Sequence, residues 1–243
     1  MRRKIHKWWS PNLGKDTPVV SYGHYGFALL MFPTAAADFL EYERFQMIDK
    51  ISHHIHNGKV KVYSINSINN ESWFNQHIHP AQKAIRQQQY NSYIFNEVVP
   101  FIHNDCQGRV MIITCGISMG CVHAANALFH RPDLIDGAIL MSGTYDLKRY
   151  VDNYYDDNVY FNNPVDYLPN LNDGWHLEQL RQKRHIHVLS GQGEYEDPQR
   201  SIDLANILDG LGVPCELDLW GHDMRHDWPT WYAMLPYYLE SRF

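Results

Sequence analysis

The chain has 243 residues, 44% of them hydrophobic, 20% charged and 14% aromatic, and a formal net charge of -6 at pH 7. That length removes roughly three quarters of the unfolded surface from water, enough for one substantial core. The acidic balance argues against a nucleic-acid partner, which calls for a basic patch, and no run of about 18 apolar residues is present to span a membrane.

The first residues, Met1-Arg2-Arg3-Lys4, have the basic start of an export signal but not the apolar stretch that must follow, so a cytoplasmic location is expected. Short apolar runs at Pro18 to Tyr22 and Phe27 to Phe32 read as strands. Glu41 to His56 has helical spacing, with Phe45, Ile48, Ile51 and Ile55 on one side, and Asn57-Gly58 stops it. Lys59 to Ile65 alternates as a strand does, and Pro80 to Ile102 reads as one long helix. Gly137 to Met141 and His185 to Leu189 are further strands. Asp197-Pro198 is a helix start, with a capping carboxylate before Pro at the first helical position. Cys215 to Trp220 reads as the last strand, and Pro229 opens a final aromatic helix through Leu239. Strands alternating with helices predict a mostly parallel sheet covered on both faces, in one domain over 1-243. Tyr145 to Lys183 shows little period. It is either a surface excursion or a cap over an active site, since long insertions in compact domains are often functional.

The densest signal is Gly116-Ile117-Ser118-Met119-Gly120. Arg109 to Cys115 before it is β-branched and apolar, and Cys121 to His130 after it is a good helix sequence closed by Arg131-Pro132. Strand, G-x-S-x-G, helix is the nucleophile elbow of the α/β-hydrolases. The turn lifts a serine hydroxyl above the sheet at a helix N-terminus, where backbone amides favour developing negative charge.

A serine hydroxyl needs a base to take its proton, and a carboxylate to orient that base. In this fold the chain order is Ser, acid, His, each after a strand. That order narrows fifteen histidines to the loop beyond Trp220. His226, directly before the final helix, is favoured as base over His222. The acid is expected after Leu189, in Ser190-Gly191-Gln192-Gly193-Glu194-Tyr195-Glu196-Asp197. Glu194 is favoured for following the glycine turn, with Glu196 close behind and Asp146 an outside candidate. One oxyanion donor is expected from the Met119 amide and the other from the loop after Phe32. Pro33 has no N–H there, so Thr34 is first and Ala35 next.

Phe32-Pro33-Thr34, Glu41-Tyr42-Glu43, Glu71-Ser72-Trp73, the elbow, the Ser190 to Glu194 loop and His226-Asp227-Trp228-Pro229-Thr230-Trp231 together resemble the Putative esterase family of α/β-hydrolases. That family includes esterase D-type S-formylglutathione hydrolases, enterochelin esterases and mycolyltransferases. The likeness runs roughly from Val19 to Tyr238. It implies an α/β-hydrolase fold, Ser118 as nucleophile and His226 as base, and a small-molecule ester or thioester substrate. An acyltransferase on the same residues and a non-catalytic binding protein of this fold are the alternatives.

No cofactor is expected. The H-D-x-x-H-D repeat at His222 to Asp227 suggests a metal site only on a helix, whereas Gly221 and Pro229 make it loop, and no general-base Glu lies between the histidines. Cys106, Cys115, Cys121 and Cys215 include no C-x-x-C, so neither a disulfide framework nor a zinc–thiolate site is expected. The last helix, with Trp231, Tyr232, Tyr237 and Tyr238, packs inward or supports a homo-oligomer.

Overall fold

The computed structural model describes Met1 to Phe243. Eight strands form one sheet: β1 (Arg3–Ser10), β2 (Lys15–Tyr22), β3 (Phe27–Phe32), β4 (Val60–Ile65), β5 (Ile112–Ile117), β6 (Gly137–Met141), β7 (His185–Ser190) and β8 (Glu216–Leu219). Their order is β1-β2-β4-β3-β5-β6-β7-β8. β1 and β2 are antiparallel, β2 meets β4 antiparallel, and β3 to β8 run parallel.

The parallel strands β3 to β7 are buried on both faces, and their side chains divide between two cores with a period of two. Ala28, Leu30 and Phe32 of β3, with Ala138 and Leu140 of β6, join one core. Leu29 and Met31, with Ile139 and Met141, join the other. The helices are α1 (Glu41–Arg44), α2 (Met47–Lys50), α3 (Ser52–His56), α4 (Pro80–Tyr93), α5 (Val99–Asp105), α6 (Gly120–His130), α7 (Asp157–Asn162), α8 (Pro164–Tyr167), α9 (Gly174–Arg181), α10 (Pro198–Gly210) and α11 (Trp228–Ser241). The first core takes α4 to α6 and α10; the second takes α1 to α3 and α11.

Several expectations are corrected. β1 was not anticipated, because its outer side chains are mostly exposed and no apolar run marks it. The expected helix from Glu41 to His56 is three short helices, broken where Gln46 takes a left-handed φ of 60°. The long helix from Pro80 extends to Asp105, with a π-helical stretch at Ile94–Val98 just before Pro100. Asp197 does precede α10, but its carboxylate pairs with Arg200 at 2.8 Å and caps no amide.

The segment from Tyr145 to Lys183 holds α7, α8 and α9. It is packed down rather than loose: Leu147, Val151 and Val159 are buried in a cluster with Trp73 and Met119. No helix is long and apolar enough to cross a membrane.

Candidate active site

Ser118 follows β5 directly and has φ of 54°, the left-handed region that a non-glycine residue adopts only under constraint. The constraint is visible. Its amide donates to the Met141 carbonyl at 3.0 Å, and its carbonyl accepts from Thr144 N at 3.1 Å. The flanking glycines make the turn sterically possible. A Cβ on Gly116 would meet Cys121 N at 2.6 Å, and one on Gly120 would meet the Pro33 carbonyl at 2.6 Å.

His226 Nε2 stands 3.0 Å from Ser118 Oγ. His222 is exposed in the same loop, away from this contact. On the other side of the His226 ring, Nδ1 lies 3.3 Å from Oε2 of Glu196, whose side chain is 1% exposed. The carboxylate beside the ring is therefore that of Glu196, the second candidate, and not that of the favoured Glu194. Glu194 points outward and lies 3.8 Å from the Arg225 guanidinium, with both side chains more than half exposed. The reason is local. Gly191 and Gly193 lie against the Met224 carbonyl, where no Cβ fits, so the two loops close on each other. Gly193 N donates to Met224 O at 2.8 Å and His226 N to Glu194 O at 3.0 Å. Tyr195 then takes φ of 64°, reversing the chain so that Glu196 turns inward. Asp146 accepts from the Lys148 amide at 2.9 Å and does not face His226.

Sequence reasoning missed the residues around Glu196. Ser142 Oγ donates to Oε1 at 2.5 Å and itself accepts from Trp231 Nε1 at 3.0 Å. Ser190 Oγ reaches Oε2 at 3.3 Å. The signal was a repeated one: β6 and β7 both run into Ser-Gly, at Ser142-Gly143 and Ser190-Gly191. Trp231 also meets the His226 ring edge-on, with centroids 5.2 Å apart, and so fixes its tilt.

The expected oxyanion donors divide. Met119 precedes α6, and its amide makes no hydrogen bond within the chain. The Thr34 amide does not remain available: it donates to Glu41 Oε2 at 2.7 Å, and the Thr34 hydroxyl donates to Oε1 at 2.5 Å. Ala35 is next, with φ of 39° and an amide that has no partner within the chain. Its carbonyl is held by the Asn69 side-chain amide and by Ser67 Oγ. Asn69 Oδ1 in turn lies 2.9 Å from Nε2 of His123 on α6, whose Nδ1 is 3.2 Å from Gln87 Nε2. Burial lowers His123 to about 3, so the ring is neutral, donating to Asn69 and accepting from Gln87.

A mostly parallel sheet with a strained serine after β5, a histidine on it and a buried carboxylate behind defines an α/β-hydrolase of the serine carboxylic ester hydrolase class. The family model described as "Putative esterase" matches residues 55–239, and the chain belongs to that family. No curated protein sequence matches the chain. Among solved structures, the fold is similar to a ferulic acid esterase, with 19% identity, 98% of this chain and 96% of that one covered, and a TM-score of 0.69. It is similar to the S-formylglutathione hydrolase FrmB of Staphylococcus aureus, with 15% identity, 98% and 97% covered, and a TM-score of 0.72. Mycobacterium tuberculosis MPT51 is 14% identical over 99% and 97% of the two chains, with a TM-score of 0.72.

Proposed function

We propose that the protein hydrolyses a small carboxylic ester or thioester through an acyl-enzyme on Ser118. Ser118 Oγ attacks the carbonyl carbon while His226 Nε2 takes its proton. Glu196 accepts from Nδ1–H, fixing the tautomer and stabilising the imidazolium. The carbonyl oxygen, now negative, is received by the amides of Met119 and Ala35. As the tetrahedral intermediate collapses, the C–O or C–S bond to the leaving group breaks and His226 returns the proton to it. Water then repeats the sequence on the acyl-enzyme, releasing the acid and restoring Ser118.

The observation that carries this reading is the 3.0 Å approach of His226 Nε2 to Ser118 Oγ, with a buried carboxylate on the far nitrogen. The test is labelling by a fluorophosphonate probe with intact-mass analysis. One adduct is expected on the wild type, none on Ser118→Ala and little on His226→Ala. A wild type that takes no adduct and turns over no ester overturns the mechanism.

A further inference from the structure

A cleft of about 400 Å³ is walled by Trp73, Phe74, Lys83, Arg149, Tyr150 and Asp152. It opens between α4 and the segment after β6. Trp73 forms one wall and belongs to the same apolar cluster as Met119. Phe74 N donates to the carbonyl of Asn69 at 2.8 Å, and the Asn69 side chain holds the Ala35 carbonyl, so the loop that walls the cleft also supports the turn at Ala35.

The charges on this wall are unusual. Lys83 is only 5% exposed, yet its ammonium donates to a single acceptor, the Tyr150 carbonyl, at 2.8 Å. An ammonium has three protons to place, and a buried cation is costly unless paired. No carboxylate pairs with it. Arg149, which also lines the cleft, donates to the Tyr150 hydroxyl and lies over that ring with its guanidinium carbon 4.7 Å from the centroid; it too has no carboxylate partner. Asp152 is on the same wall and pairs with neither cation. Two unneutralised cations thus face one cleft on a chain whose net charge is -6. Phe74 and Tyr150, in contact with ring centroids 5.3 Å apart, add one aromatic patch to its lining.

We infer that this cleft is a specificity subsite for a carboxylate carried by the substrate, bound by Lys83 and Arg149. The inference rests on the proposed esterase reading for its use but not for its binding chemistry. A carboxylate here supplies the acceptors that the Lys83 ammonium lacks, and it meets a guanidinium suited to bidentate contact. Holding the far end of the substrate fixes the position of its ester over Ser118.

The test uses two matched pairs. Monophenyl glutarate and its methyl ester place the carboxylate on the acyl side; 4-acetoxybenzoate and its methyl ester place it on the leaving group. Binding is measured by calorimetry on Ser118→Ala, which keeps the esters intact. We expect the carboxylate of at least one pair to bind ten times or more tighter than its methyl ester. That ratio should fall below threefold in Ser118→Ala/Arg149→Gln and Ser118→Ala/Lys83→Met, and persist with Arg149→Lys. Arg149 is exposed, so its variants report even where the Lys83 variant does not fold. Equal binding within both pairs, or a preference that survives Arg149→Gln, overturns the subsite. Absence of turnover or fluorophosphonate labelling alongside a retained preference instead removes the esterase reading and leaves the subsite standing.

Discussion

The amide and the hydroxyl of Thr34 both donate to one carboxylate, that of Glu41, which is 5% exposed. The next residue on α1, Tyr42, donates its hydroxyl to the Phe32 carbonyl at 2.6 Å. The four-residue helix α1 therefore clamps the start of the loop that follows β3. With Thr34 turned inward, the first amide free to face an oxyanion is that of Ala35.

Replacing Glu41 by Gln leaves one of the two Thr34 donors without an acceptor, because a side-chain amide has a single oxygen to offer. We expect kcat on a neutral aryl ester to fall on the order of tenfold, with a smaller change in KM. Burial raises the Glu41 carboxyl above its ordinary value of 4.5, outweighing the lowering effect of the Thr34 bonds. A carboxyl raised on folding favours the fold when protonated. Its contribution is full below the ordinary value and is lost as pH rises through the higher folded value. The Tm of the wild type minus that of Glu41→Gln should therefore decline as pH rises above the ordinary carboxyl value of 4.5. A difference that stays flat or grows as pH rises contradicts the assignment.

On the far side of Ala35, Asn69 holds the carbonyl and is itself held by neutral His123. Asn69→Ala removes one of the two donors at that carbonyl and frees the Ala35 peptide to rotate out of its left-handed conformation. Turnover should drop between about tenfold and a hundredfold, less than loss of an oxyanion donor outright. KM should move less than kcat. His123, lowered to about 3, stays neutral across the working range, so the pH profile of the variant should keep the wild-type shape. A displaced profile, or a loss confined to KM, points to some other role.

The two glutamates of the β7 loop make opposite predictions. Glu196→Gln should lower kcat by about 10³- to 10⁴-fold, the scale expected when the residue orienting a catalytic histidine loses its charge. Glu194→Gln, at a surface pair with Arg225, should remain within twofold of wild type. Stopped-flow or steady-state turnover of an aryl acetate reads both. Comparable losses in the two variants refute the Glu196 assignment.

That pair shows how far the sequence could be read. The elbow was legible because strand, two glycines, serine and helix must all be adjacent along the chain. His226 was legible because the final helix starts just after it, at Trp228. The carboxylate beside His226 was not, since the glycines before Glu194 serve a close approach to Met224 that only the folded pair of loops reveals. The turn that aims Glu196 depends on the left-handed φ of Tyr195, a residue whose type gives no hint of it. Thr34 carries the first amide after a proline, and nothing in the sequence order shows that Glu41 takes it. The sheet core was read well from its apolar runs, whereas β1, with its exposed basic residues, had none to show.

The second glycine of the elbow offers the sharpest test of packing. Gly120 has an ordinary φ, so its need is for space rather than for backbone freedom. A methyl there would lie 2.6 Å from the Pro33 carbonyl oxygen and overlap that of Phe32, both rigid backbone at the end of β3. Neither can move without shifting Ala35 on one side or Met119 on the other. Gly120→Ala should thus cost about 1–3 kcal/mol in denaturant unfolding, the usual penalty for overpacking. It should also lower kcat by at least tenfold at temperatures where the variant remains folded, because both amides proposed for the oxyanion are displaced together. Gly108→Ala, at a glycine with open space around its Cβ position, is the control and should change neither quantity by more than the error. A folded Gly120→Ala enzyme with wild-type turnover would mean that the β3 loop and the elbow do not share the contact on which the oxyanion assignment depends.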